Sequence, residues 1–588
     1  MPTYKISPFI WIAGLVALSA CNGGNAPSMS ATASAVPTVS LLVSVELPVV
    51  DGSSTLTWFS SNATSCTASN TAANSAWSGS KTASALPATQ TLSHLTTGGS
   101  YTLTCTGSGG TAQKTVTITV VSTPPPSLSG NVDSSLIANL QANAIYIYAG
   151  TVTPEDLGGS GAQPIKVVPV TQNTGACGWR YNAGILAAGQ YTLAFTNQAA
   201  NDNPATNDAI VFQRIAAVTV AGGTASHDFA PARLLTVGPG KMYPTVLAAA
   251  AAVQAGDVIE IDAGQYDDNI VVWRANNITL RGVGGKAHMH ATKLIPYSGT
   301  DLENGKGIWV TVGSNIKVEN VEFSNAAVDD KNGAGIRAEG ANLTVCNSYF
   351  HDNENGILGG FGTVLIEYSE FAFNGGCVPT FGCSHNLYIA NIDKLVFQYN
   401  YSHHANIGHL LKSRAKENHI LYNRLTGETG TASYEVDIPD GGLTYLIGNL
   451  IQQGTLTDNS TMVSYAAESA GNPVQQLYAV NNTLVNENGA GTFMAIRAGS
   501  TAQVTNNLFA GPGTAVSGPA TQSSNLVTTT PLFVNQAAFD YRRTSSSPGS
   551  DPGSSSTGFA LAPVFQYVHP HNREARPILG APHIGAYE

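Results

Sequence analysis

One short phrase returns along the second half of the chain. It reads Val318-Glu-Asn-Val-Glu-Phe323, Val345-Cys-Asn-Ser-Tyr-Phe350, Ile366-Glu-Tyr-Ser-Glu-Phe371, Leu421-Tyr-Asn-Arg-Leu425, Ile447-Gly-Asn-Leu-Ile451, Val480-Asn-Asn-Thr-Leu484 and Val504-Thr-Asn-Asn-Leu508. A period of roughly 20 to 30 residues built on short β-type runs demands a solenoid, because one coil cannot bury its own apolar face and must pass it to the next. Asn320, Asn347, Asn423, Asn449 and Asn482 fall at one place in the phrase, and stacked amides there are expected to bridge backbone groups left unpaired at each bend.

A chain of 588 residues is too long for one ordinary core unless a solenoid takes up the length. Charged residues make up 11% and glycines number 61, a composition of exported β-rich modules rather than of a helical enzyme. The net charge of -11 offers phosphate backbones no basic field, which argues against nucleic acid as a partner. Near the start, Lys5 precedes an apolar run from Phe9 to Leu18, and Leu18-Ser-Ala-Cys21 follows. The run is too short for a permanent membrane span. It resembles a bacterial lipoprotein signal (residues 1–21), which implies that Cys21 becomes the lipidated N-terminus and that Asn22 after it favours the outer membrane. The implied location is the cell envelope, periplasmic or surface-exposed.

Residues 22–39 read as a flexible tether. Residues 40–122 alternate as a small β-sandwich does, in Thr55-Leu-Thr-Trp-Phe59 and Lys114-Thr-Val-Thr-Ile-Thr-Val120, and with Trp58, Cys66, Trp77 and Cys105 they resemble bacterial immunoglobulin-like modules. After Thr123-Pro-Pro-Pro126, residues 127–232 suggest a second β-sandwich, similar to carboxypeptidase-regulatory domains. Cys66 with Cys105, and Cys377 with Cys383, are plausible bridges in an exported chain, while Cys177 and Cys346 read as buried small apolar residues.

Residues 235–588 open with an Ala-rich, helix-favouring run over 245–254 that suits the exposed end of a first coil, and close on Ile584-Gly-Ala-Tyr-Glu588, read with the stretch from Pro531 as a distal extension and cap. With the Asn-Ile-Thr-Leu-Arg-Gly282 phrase and the Asn-bearing coils, this region resembles the right-handed parallel β-helix proteins of the pectate-lyase-like superfamily. The expected fold class is therefore all-β: a C-terminal parallel β-helix preceded by two small β-sandwiches.

Strand alternation sorts core from surface. With Ile336, Ile357, Leu387, Leu411, Val436 and Val463 inward, Arg337, Tyr388, Lys412, Arg414, Glu435, Asp437, Ser464 and Arg497 are expected outward along one stripe, with His385 and His409 at the strand starts. Such a stripe suits a linear polymer. In β-elimination on a uronate polymer, a base removes the proton beside the carboxylate and cations or polar donors stabilise the enolate. Lys412-Ser413 followed by Asn418 resembles the Lys-Ser segment of alginate-lyase-type β-helix enzymes, which implies Lys412 alone as the base; the chemistry of the stripe adds Arg414 or Tyr388 to neutralise or protonate, and His385 is a further catalytic candidate by its position. Arg337, His409, Glu435, Asp437, Ser464 and Arg497 are the expected substrate contacts. Ser433-Tyr-Glu-Val-Asp-Ile438 departs from that family's pattern, so hydrolysis by Glu435 and Asp437 stays open, as does a glycan-binding solenoid without catalysis. The expected partner is an acidic polysaccharide, approached by a lipid-anchored monomer. No cofactor is read from the sequence, and a calcium requirement stays open.

Overall fold

The computed structural model describes residues 35–577 and 583–588, apart from 45–47, 49, 73, 85–86, 123–125, 139, 158–160, 174–176, 199–209, 297–304, 545 and 549–560. The lipoprotein signal with Cys21 lies outside the described residues. Among those residues no helix is long and apolar enough to cross a membrane. The chain divides into two compact units, residues 1–123 and 124–588.

In the first unit, strands Thr38–Val43, Gly52–Ser61 and Ala88–Leu95 form one sheet, and Gly79–Lys81, Ser65–Asn70, Gly99–Gly107 and Gly110–Ile118 form the other. Alternate side chains of both sheets meet in one core, where Trp58 and Trp77 pack edge to face at 5.2 Å. Cys66 and Cys105 are bonded to each other as directly paired residues of neighbouring strands in one sheet.

The second unit begins with a seven-stranded sheet whose halves fold over a shared core that includes Leu128, Ile147, Tyr181, Leu193 and Phe195. It docks on the solenoid through polar groups. The Arg281 guanidinium reaches Asp133 at 3.0 Å and Glu319 at 2.8 Å, and the Lys317 ammonium donates to the Ser134 and Ile137 carbonyls. Cys177 and Cys346 are not isolated apolar residues: they form a disulfide. Cys346 shares an outward row with Glu319 and Glu367 in successive coils, so it faces the sandwich rather than the core.

From Leu234 onward the strands pair in parallel, coil upon coil. The short helix Val246–Ala250, N-capped by the Thr245 hydroxyl, packs Val246 and Ala249 into the first coil. Each later coil lays down two strands joined by a bend of one or two residues that opens on a left-handed residue, and most add a third strand in a separate ten-stranded sheet. Apolar residues stack in file along the interior: Val318, Val345 and Ile366 on one wall, Phe323, Phe350 and Phe371 on the next with ring centroids 5.0 and 4.9 Å apart, and Ile336, Ile357 and Leu387 on the third.

The recurring asparagines occupy two places rather than one. Asn320 and Asn347 are themselves the left-handed bend residues, at φ 57° and 48°, where an L side chain is costly and Asn is tolerated. Tyr368, Tyr399, Tyr422 and Gly448 hold the bend in the coils that follow. Asn423, Asn449 and Asn482 sit one residue later and turn inward, in a buried ladder with Asn400 and Asn507. Each side-chain oxygen accepts the backbone N–H of the preceding coil's Asn, and each Nδ2 donates to a backbone carbonyl, as Asn423 does to Phe397.

The segment after Pro531 was expected to extend and cap the far end. Instead it runs back along the side of the coils. Phe565 packs across Tyr399 and Tyr422, Arg573 donates to the Tyr399 hydroxyl at 2.7 Å, and Ala586 N–H reaches the Thr483 hydroxyl. The bend tyrosines leave an apolar row on the outside of the solenoid, and this segment covers it.

Candidate functional site

The ten-stranded sheet places Tyr388, Lys412, Asp437 and Ser464 side by side on four consecutive coils, because Leu387, Leu411, Val436 and Val463 next to them fill the core. Adjacent parallel strands are about 4.8 Å apart, so neighbouring side chains are forced into contact. The Lys412 ammonium lies 3.5 Å from Asp437 Oδ2 and 3.2 Å from Glu468 Oε1, and over the Tyr388 ring at 5.3 Å from its centroid. Arg414 donates from Nε to the Tyr388 hydroxyl at 2.7 Å, from Nη1 to Asp440 at 2.8 Å, and from Nη2 to Glu468 at 2.5 Å.

His385 and His409 stack at the strand entrances with ring centroids 4.4 Å apart. Each receives a backbone N–H on Nδ1, His385 from His409 at 3.0 Å and His409 from Tyr434 at 3.3 Å. A nitrogen that accepts carries no proton, so both neutral rings bear theirs on Nε2. Burial drives both away from the charged form. His385 titrates well below the usual imidazole range, with His409, Lys412 and Arg414 adding to the effect, and His409 is brought to about 3 by burial and then by Lys412. His409 Nε2 lies 3.7 Å from Asp437 Oδ2.

The carboxylates are pushed apart. Burial raises Asp437, and the neighbouring Lys412 charge and Ser464 hydroxyl only partly offset it. Burial also acts on Glu468, but hydrogen bonds and charge from Arg414 and Lys412 outweigh it and hold Glu468 below the ordinary carboxylate range. Half of the Glu468 side chain is exposed, against 4% for Asp437. The site thus holds a protected acid, two cations and one displaceable anion.

Three expected members stand elsewhere. Glu435 points inside: it is fully buried, with Gln453 Nε2 at 3.4 Å from Oε2. Its strand begins only at Val436, so the chain is still turning at Glu435 and strand alternation does not govern it. Arg337 is separated from Tyr388 by the coil that carries Leu358, and its Nε is bound to Glu339. Arg497 lies just past its strand and donates from Nη1 to the Ala466 and Ala467 carbonyls, fixing the segment that presents Glu468. Sequence reasoning missed Asp440 and Glu468. Both lie in loops, where no period marks them, and the one signal was that Arg414 on a polar stripe needed counter-charges.

A family model described as right handed beta helix region matches residues 288–451. That region holds most of these side chains. No curated protein matches the chain. Among solved structures, a mutant of the PL6 family alginate lyase AlyGC is 15% identical, covering 50% of this chain and 39% of its own, with a TM-score of 0.25. A chimeric titin Z1Z2 carrying a decorin peptide is 14% identical over 34% of this chain and 100% of its own, with a TM-score of 0.14. The fold is all-β, with a right-handed parallel β-helix.

Proposed function

We propose that the polar stripe on the ten-stranded sheet binds an acidic polysaccharide and cleaves it by β-elimination. The supporting observation is the half-exposed Glu468 carboxylate bridging Arg414 and Lys412. A uronate carboxylate is the same chemical group, and by displacing Glu468 it would place its sugar over Lys412 and Tyr388. Arg414 then neutralises the carboxylate and stabilises the enolate. Elimination requires the Lys412 ammonium first to give up a proton. Asp437, raised by burial, is placed to take that proton, and the free amine removes the proton beside the carboxylate. The Tyr388 hydroxyl is the donor for the departing sugar oxygen.

One observation favours a second reading. Asp437 and Glu468 flank one ammonium with their titrations driven in opposite directions, the pattern of an acid and base pair in glycoside hydrolysis. The full chain should be incubated with a panel of uronate polymers, following unsaturated-product absorbance and reducing ends together. Elimination yields both signals, and Lys412→Ala lowers turnover about 100-fold or more, the worth of a positioned general base. Reducing ends without absorbance, with Asp437→Asn inactive and Lys412→Ala active, would establish hydrolysis instead.

We also propose that the chain is anchored in the cell envelope through a lipid on Cys21. Cys21→Ala should leave the membrane fraction and lose metabolic labelling by fatty acid. Unchanged labelling would overturn the anchor.

A further inference from the structure

A second cluster of chemically capable side chains lies on a different wall of the solenoid, in the large sheet formed by the first two strands of each coil. His288, Glu322 and His351 belong to the strands Thr279–His290, Val321–Ser324 and Tyr349–His351 on three successive coils. The parallel register sets His288 directly beside Glu322, and His351 lies one coil further on and two residues along, on the same face. Glu322 Oε1 is 3.6 Å from His288 Nδ1 and 3.1 Å from His351 Nε2, and the three donor atoms lie within 4.8 Å of one another.

We propose that His288, Glu322 and His351 bind one divalent ion of the zinc class. A tetrahedral ion with bonds of about 2.0–2.2 Å separates its donors by about 3.3–3.6 Å, close to the 3.6 and 3.1 Å from Glu322 to the two histidines, and the third spacing lies within 4.8 Å. Two imidazoles and one carboxylate form a donor set that zinc accepts with its fourth position left to water. Nitrogen donors set the site apart from one for calcium, which takes oxygens.

The second observation is the outer shell. In each histidine the ring nitrogen turned away from Glu322 is already held: His288 Nε2 by the Ser324 hydroxyl at 2.7 Å, and His351 Nδ1 by the Asp352 carboxylate at 2.7 Å. The Ser324 hydroxyl holds the His288 ring in place, while the Asp352 carboxylate, which in its ionised form can only accept, fixes the His351 tautomer so that Nε2 presents its lone pair and is strengthened as a donor. The three side chains are 18–24% exposed, so an ion can enter from solvent. By contrast His403, His404 and Glu428, also close together, are committed to other bonds. The two imidazoles are bonded to each other through their Nδ1 atoms, and Glu428 accepts from Tyr401, Arg424 and Thr426.

The test uses the untagged full chain, stripped with a chelator and titrated with Zn2+ in a calorimeter and with Co2+ in a spectrophotometer. One equivalent should bind, with the visible bands of a four-coordinate cobalt ion. Glu322→Gln and His351→Gln should abolish uptake, and Asp352→Asn, on an exposed carboxylate, should weaken it about 10- to 100-fold while leaving the fold intact. His403→Gln should change nothing. No uptake by the wild type, uptake that survives Glu322→Gln, uptake unaltered by Asp352→Asn, or loss of uptake in His403→Gln would each overturn the assignment.

Discussion

Glu435 shows how one side chain can escape a correct strand assignment. Val436 and Asp437 obey alternation because they lie within a strand, whereas Glu435, one residue earlier, turns inward with Oε1 unpartnered beside the Gln453 amide. Burial pushes its carboxyl well above the ordinary range. A folded-state value raised above the unfolded 4.5 means a contribution that is complete below about pH 4.5 and is lost as pH climbs through the folded value. Glu435→Gln keeps the shape and removes the titration. Melting curves at about pH 4 and about pH 8 should therefore show the variant close to wild type in acid and more stable by about 1 to 3 kcal/mol in alkali. Equal stability at both would mean that Glu435 has water beside it.

The coil carries the readable part of the fold, and it shows where reading fails. Inward residues such as Leu387, Val436 and Val463 are identifiable because a β-strand has a period of two, and the sheet satisfies that period wherever a strand is formed. The bends have no period. Asn320 and Asn423 looked equivalent in the phrase, yet one takes the left-handed bend itself and the other lies one residue inside it. Both use the amide's capacity to stand in for a backbone group, which is why the sequence places Asn at either position. The inward ladder has the larger energetic consequence. Asn423 donates to the Phe397 carbonyl at 2.8 Å and accepts from Asn400 N–H at 2.9 Å, and Asn449 does the same one coil on, to Ile420 and from Asn423. Asn423→Leu or Asn449→Leu leaves a buried donor and acceptor unpaired, and each should cost about 1 to 3 kcal/mol in chemical denaturation. Asn320→Gly, which removes a partly solvated amide without straining the left-handed bend, should cost less. Equal losses at the three positions would mean that burial of the amide does not set the cost.

Contacts between distant parts of the second unit were the least legible. Cys177 and Cys346 lie 169 residues apart, in a sandwich and a solenoid that their sequence patterns describe as separate, so no local signal could pair them. The same holds for Asp133 with Arg281, and for the segment after Pro531, whose apolar residues serve the bend tyrosines of coils far upstream. The candidate site was legible as far as it is built from strands, in Tyr388, Lys412 and Asp437, and illegible where loops bring in Asp440 and Glu468. The disulfide gives this long-range docking a direct test. A crosslink across so long a loop restrains the unfolded chain strongly, and removing it typically costs about 2 to 4 kcal/mol. Cys177→Ala with Cys346→Ala should leave the sandwich held to the solenoid, among the described residues, by contacts such as Arg281 with Asp133 and Glu319, largely buried pairs whose attraction is offset by the cost of desolvating the charges. The thermal transition of residues 124–588 should then move down and divide, the sandwich melting first, while non-reducing peptide mapping of the wild type recovers Cys177 joined to Cys346. A double variant that melts in one unshifted transition would mean that the polar interface alone couples the two parts.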